Sequence, residues 1–119
     1  MRRHLYWVVA AALVLAGAPS VHADGRKEAK SQVEFGIAVA QKGLWKEALY
    51  RWERATQIDP TYAAAFNNLA VAYEQTGEFE KARQAYEKAL ELDPKSQVIR
   101  QNFDLFKEIN DRTTRRPDR

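Results

Sequence analysis

The feature that most restricts this chain is a repetition: YRWERATQIDP, Tyr50 to Pro60, returns 34 residues later as QAYEKALELDP, Gln84 to Pro94. The same shift superposes Gly43 on Gly77, Trp45 on Phe79, Ala48 on Ala82, Trp52 on Tyr86, Ala55 on Ala89 and Pro60 on Pro94. Each matched site has a mechanical reason. A glycine ends the first helix of a hairpin, alanines let two helices approach closely, and large aromatics fill the space beside them. A proline stops the second helix and turns the chain into the next hairpin.

Between these marks the chain carries apolar and small residues at three and four spacing, the period of a half-buried helix. Runs of β-branched residues in strict alternation are missing, so strands are not expected. The pattern predicts helices at 27–41, 45–58, 61–75, 79–92 and 96–110: two helical hairpins and a fifth helix.

The N-terminus, MRRHLYWVVAAALVLAGAPSVHA, has two arginines, an apolar run from Leu5 to Ala18, then Pro19 and small residues at Val21 and Ala23. These are the parts of a secretory signal peptide, residues 1–23, with cleavage expected after Ala23. The run falls short of the roughly 20 residues that span a bilayer. The alternative is an uncleaved leader anchoring the protein, with Tyr6 and Trp7 at the interface. With processing, no stable membrane span is expected, and a periplasmic or secreted protein follows. The chain has no cysteine, so neither a disulfide nor a lipid anchor on a processed Cys is available.

Of 19 basic residues against 16 acidic ones, Arg2 and Arg3 belong to the leader, so the remainder is nearly neutral and gives no reason to expect a nucleic-acid partner. His4 and His22 also lie in the leader. The processed chain then has neither His nor Cys, which removes the usual general base, the thiolate nucleophile and common zinc sites. Ser31 and Ser96 stand near predicted helix starts, where capping is the ordinary role. The five glycines are scattered and form no phosphate loop. Carboxylates such as Glu87 and Glu91 lie among Lys81, Arg83 and Lys88 on a solvated face. An enzyme is not expected, nor a cofactor or metal.

A 34-residue helix-turn-helix period with this pattern resembles the tetratricopeptide repeat. In residues 63–96, Phe66, Leu69, Ala70, Tyr73, Gly77, Phe79, Ala82, Tyr86, Ala89 and Pro94 match that family's signature sites. The copy at 29–62 matches at Phe35, Gly36, Ala48, Trp52, Ala55 and Pro60, and departs from it at Gln32 and Val39. The resemblance implies an all-α, right-handed superhelical stack spanning 24–111: two hairpins and a capping helix at 97–110. In that last helix Ile99, Phe103 and Phe106 face the second repeat, whereas Arg100, Asp104 and Lys107 close the array with polar groups. Residues 112–119 are expected to form a disordered basic tail.

By the same resemblance the first helices line a concave groove, and its partner is another protein or peptide segment. The implied groove residues are Val33 and Ile37, then Asn67, Asn68 and Val71, then Val98, Gln101, Asn102, Leu105 and Ile109, flanked by Lys30, Glu34, Gln41 and Gln75. Ile37, Val71 and Leu105 stand 34 residues apart and form an apolar line, with amides beside it to hydrogen-bond a peptide backbone. Of the clamp of lysine, arginine and asparagine that some members use for a terminal carboxylate, only Asn68 has a counterpart, with Val33 and Ile37 where a lysine and an asparagine would be required, so binding of that type is not expected. An interaction module of the bacterial envelope, an adaptor or assembly factor, is therefore expected. The alternative is a self-associating structural subunit, because arrays generally need at least three repeats.

Overall fold

The computed structural model describes residues 21–115, with side-chain environments from residue 23 onward. Residues 1–20, most of the expected leader, and the last four residues lie outside the described residues. Five helices follow one another, with no strand among the described residues: α1 (Val21–Gln41), α2 (Trp45–Ile58), α3 (Ala63–Gln75), α4 (Phe79–Leu92) and α5 (Gln97–Thr114).

The two hairpin turns are closed alike. Gly43 and Gly77 adopt φ of 75° and 78°, the left-handed region that costs glycine nothing. At the first turn Gly43 N donates to Ala40 O (2.8 Å) and Leu44 N to Val39 O (3.0 Å). The second turn repeats both bonds, from Gly77 N to Glu74 O (3.2 Å) and from Glu78 N to Tyr73 O (2.8 Å). This paired pattern satisfies carbonyls that a helix end leaves open.

Alanine sets the distance between helices. Ala29, Ala48, Ala55, Ala65, Ala70, Ala72, Ala82 and Ala89 are wholly buried, and the large rings sit among them. Trp52 is pressed against Gly36, where an added Cβ would lie 2.3 Å from Nε1, and its N–H donates to Val33 O (3.1 Å). Tyr86 takes the matching place in the second hairpin and stacks on Phe103 of α5 with centroids 5.4 Å apart. Phe106 completes the trio, 5.6 Å from Tyr86.

Two helices run longer than the sequence pattern predicts. α1 begins six residues before position 27, because Arg26 Nε donates to Asp59 Oδ2 (2.5 Å) and its guanidinium lies over the Tyr62 ring (4.6 Å). Asp59, 4% exposed, also accepts from Thr61 N (3.0 Å) and Thr61 Oγ1 (2.6 Å). Burial pushes the Asp59 carboxyl up, but the hydrogen bonds from Thr61 and Arg26, with the Arg26 charge, outweigh it and hold the carboxyl at about 2. The expected cleavage point after Ala23 thus falls in the first turn of α1, and Ser31 lies inside that helix rather than at its start. Ser96 does cap α5, accepting from Ile99 N (3.3 Å).

α5 runs four residues past 110. Arg112 pairs with Glu108 one turn earlier, and the Thr113 and Thr114 hydroxyls donate to Asn110 O (2.8 and 3.0 Å). Residues 112–114 are therefore helical rather than part of a tail. Ile99, Phe103 and Phe106 are buried toward α4, whereas Arg100 and Asp104 are exposed, and Lys107 pairs with Asp104 (3.4 Å). No helix among the described residues is long and apolar enough to cross a membrane.

Candidate functional site

The first helices of the stack, α1, α3 and α5, contribute residues separated by 34 positions to one surface. This surface holds an open cavity of about 400 Å³. Ile37, Ala40 and Gln41 line it from α1, Trp45 and Trp52 from α2, and Asn68 and Val71 from α3. Two indoles, an isoleucine and a valine make the lining mainly apolar, with amide groups from Gln41 and Asn68. Burying a leucine- or phenylalanine-sized side chain in such a site contributes about 1.5–3 kcal/mol.

Of the ten groove residues expected from the sequence, Ile37, Asn68 and Val71 meet at this cavity. Val98, Leu105 and Ile109 stand exposed along α5 at 63%, 57% and 52%, and Gln101 is exposed beside them. Asn102 is half-buried and donates through Nδ2 to Asn67 Oδ1 (3.2 Å), tying α5 to α3.

Two expectations need correction. Val33 is buried in the core, where its carbonyl holds the Trp52 N–H. Asn67 is buried too, accepting from Asn102 and directing Nδ2 at Asn68 Oδ1 (3.5 Å). Val33 meets Trp52 on the second helix of its own hairpin, whereas Asn67 meets Asn102 on α5, the helix that follows its hairpin. Gln101, the third residue of that series, remains exposed because no helix follows α5 among the described residues.

The sequence reading also missed Ala40, Trp45 and Trp52 as lining residues. Trp45 and Trp52 were legible as packing residues through their matches with Phe79 and Tyr86, but their second role needs α3 in place. Beyond the cavity, α3 presents Glu74, whose Oε2 accepts the hydrogen bond of the buried Tyr86 hydroxyl. Burial pushes the Glu74 carboxyl up, with the Tyr86 bond acting in the opposite sense.

The opposite face of α3 carries a different arrangement. Tyr73 donates to Glu53 Oε1 of α2 (3.1 Å), and a second cavity of about 310 Å³ opens among Phe66, Leu69, Tyr73, Lys81, Gln84, Ala85 and Lys88. In the first hairpin this side has no preceding helix among the described residues. Phe35, at the position of the buried Leu69 and Phe103, is 47% exposed, with the Arg51 guanidinium 4.0 Å above its ring.

No curated protein matches the chain. Among solved structures, the TPR domain of Sgt2 from Aspergillus fumigatus is similar, with a TM-score of 0.68 and 20% identity over 83% of this chain and 82% of that one. At that identity the likeness concerns the fold. Residues 36–77 match a family model described as "TPR repeat", and residues 63–96 match one described as "Tetratricopeptide repeat". The two matches overlap across α3, the helix shared by both halves of the groove. That stack of glycine-closed hairpins is all-α, and the chain belongs to the tetratricopeptide repeat family, whose members are typically non-catalytic modules for contacts between proteins.

Proposed function

We propose that this protein is a non-catalytic adaptor or assembly factor of the bacterial cell envelope that holds a segment of another protein in its concave groove. The observation that carries this reading is the cavity of about 400 Å³ between α1 and α3, an apolar recess continued by the exposed side chains of Leu105 and Ile109 on α5. An apolar surface of this kind is stabilised when a partner covers it. The leader-like N-terminus, with its arginines, short apolar run and Ala23, supports export.

The test compares the exported protein with its Ile37→Glu, Leu105→Glu double variant as baits in envelope extract. Both residues are exposed, so the melting temperature should hold while partner capture is lost. Capture that survives both charges refutes the groove reading. Mass spectrometry of the exported protein should find Asp24 as its first residue. An intact Met1 in the membrane fraction would instead establish the anchored form.

A second reading, a self-associating subunit, has one observation in its favour: the exposed Phe35 on the uncovered edge of α1. Light scattering over a concentration series decides it, since a constant monomer mass excludes self-association.

A further inference from the structure

The groove is built from two copies of one surface, and the copies are chemically unlike. A shift of 34 residues carries Ile37 to Val71, Trp52 to Tyr86 and Asn68 to Asn102, each close in character. It also carries Ala40, which lines the first cavity, to Glu74. Where the first half of the groove is a recess bordered by a methyl group, the second half holds a half-buried carboxylate.

That carboxylate is one of two half-buried glutamates whose partner is a tyrosine hydroxyl rather than a cation; the other, Glu53, takes its bond from Tyr73 on the opposite face of α3, which leaves Glu74 on the groove side. Glu47, Glu78, Glu80, Glu91 and Glu108 each pair with a lysine or arginine of their own helix or turn. Among the described residues Glu74 has no basic partner and accepts one hydrogen bond, from Tyr86. Its groove neighbours by position, Val71, Gln75 and Leu105, are apolar or neutral. A cation brought there meets a partly desolvated anion with little competing charge, and a second carboxylate is repelled.

We infer that the groove selects a partner segment with a bulky apolar side chain for the cavity beside Ile37 and Trp45 and, one repeat nearer α5, a lysine or arginine for Glu74. This inference rests on the groove reading proposed above. Packed helices lie about 8–10 Å apart. An extended segment rises about 3.3 Å per residue, so the two anchors stand about three positions apart. The specificity is opposite in sign to that of a basic clamp for a terminal carboxylate.

The test is a selection of random 12-residue peptides, displayed without a free C-terminus, on the immobilised exported protein. Enriched peptides should share an aromatic or leucine followed or preceded, about three positions away, by lysine or arginine. The best one is then synthesised and titrated while the fluorescence of Trp45 and Trp52 is read, since both indoles line the cavity. Glu74→Gln should weaken it about tenfold, as should glutamine in place of the peptide's basic residue, and the two changes together should cost little more than one. The peptide-side change needs no variant protein, so misfolding of Glu74→Gln would not obscure the result. Enriched peptides lost to Ile37→Glu but indifferent to their basic residue overturn this inference and leave the groove reading standing. No enrichment at all overturns both.

Discussion

Replacing Gly36 with alanine should destabilise the protein, although in most helices the same change stabilises. The added Cβ would lie 2.3 Å from Trp52 Nε1 and 2.7 Å from both Cδ1 and Cε2, so the indole must move. Overpacking of this kind costs about 1–3 kcal/mol. Displacing the ring also breaks its hydrogen bond to Val33 O, a loss of about 0.5–1.5 kcal/mol. Against these stands the helix preference of alanine over glycine, about 0.8–1.0 kcal/mol. Because Trp52 borders the open cavity, the ring has room to shift, and the net loss should be about 1–2 kcal/mol. For a domain of this size that lowers the melting temperature by about 5–15 °C, read by circular dichroism at 222 nm. The decisive control is a Trp52→Leu background. There the obstacle is gone, and Gly36→Ala should raise stability by about 1 kcal/mol. An equal effect in both backgrounds, or a stabilised single variant, would refute the argument that the indole dictates glycine at this site.

Asp59→Asn should cost about 1.5–3 kcal/mol at neutral pH by removing the charged acceptor of Arg26. The folded carboxyl sits at about 2, below its unfolded value, so this contribution is complete above about pH 4 and fades as pH falls toward 2. Urea melts of native and variant protein should therefore converge in acid. At the other extreme, burial, followed by the bond to Glu53, pushes Tyr73 up to about 12, and burial with the bond to Glu74 pushes Tyr86 higher still. The fold favours both protonated phenols, so their contribution is intact below about pH 10 and declines as pH rises. Absorbance at 295 nm should show these two tyrosines ionising only as the helices melt; earlier ionisation would contradict the buried bonds. Phe106→Ala should cost about 3–5 kcal/mol and release α5, seen as lost hydrogen-exchange protection over 97–114, because the ring packs against both Tyr86 and Phe103.

How far the fold could be read depended on whether the information was local. The limits of α2 and α4 follow from glycines and prolines within a few residues of each end, and they fall where the pattern puts them. The early start of α1 depends on Arg26 meeting Asp59, 33 residues away, and nothing near Val21 announces it. Asp93, the counterpart of Asp59, is exposed, so identical residues in the two copies acquire different roles from what approaches them. The groove was legible in the same measure. Ile37 and Leu105 were recognisable as exposed apolar residues on a repeating surface. Val33 and Asn67 were misplaced because burial at that position depends on helices distant in sequence, α2 through Trp52 for Val33 and α5 through Asn102 for Asn67, and the 34-residue series Val33, Asn67, Gln101 looks uniform until one asks which helices pack against each. Glu74 escaped notice because a lone glutamate on a helix resembles any solvated charge until Tyr86 is found beside it.

The two ends of the stack are chemically opposite. At one end Phe35 lies open beneath Arg51; at the other, Gln101, Asp104 and the Asp104–Lys107 pair occupy the face against which another helix would pack. For anyone lengthening the array by splicing in repeats, this polarity is a directional rule. A consensus hairpin inserted ahead of α1 meets a ring waiting to be covered. The same hairpin fused after α5 must strip water from an aspartate and a lysine before it can dock, so those positions would first have to be rewritten with apolar residues.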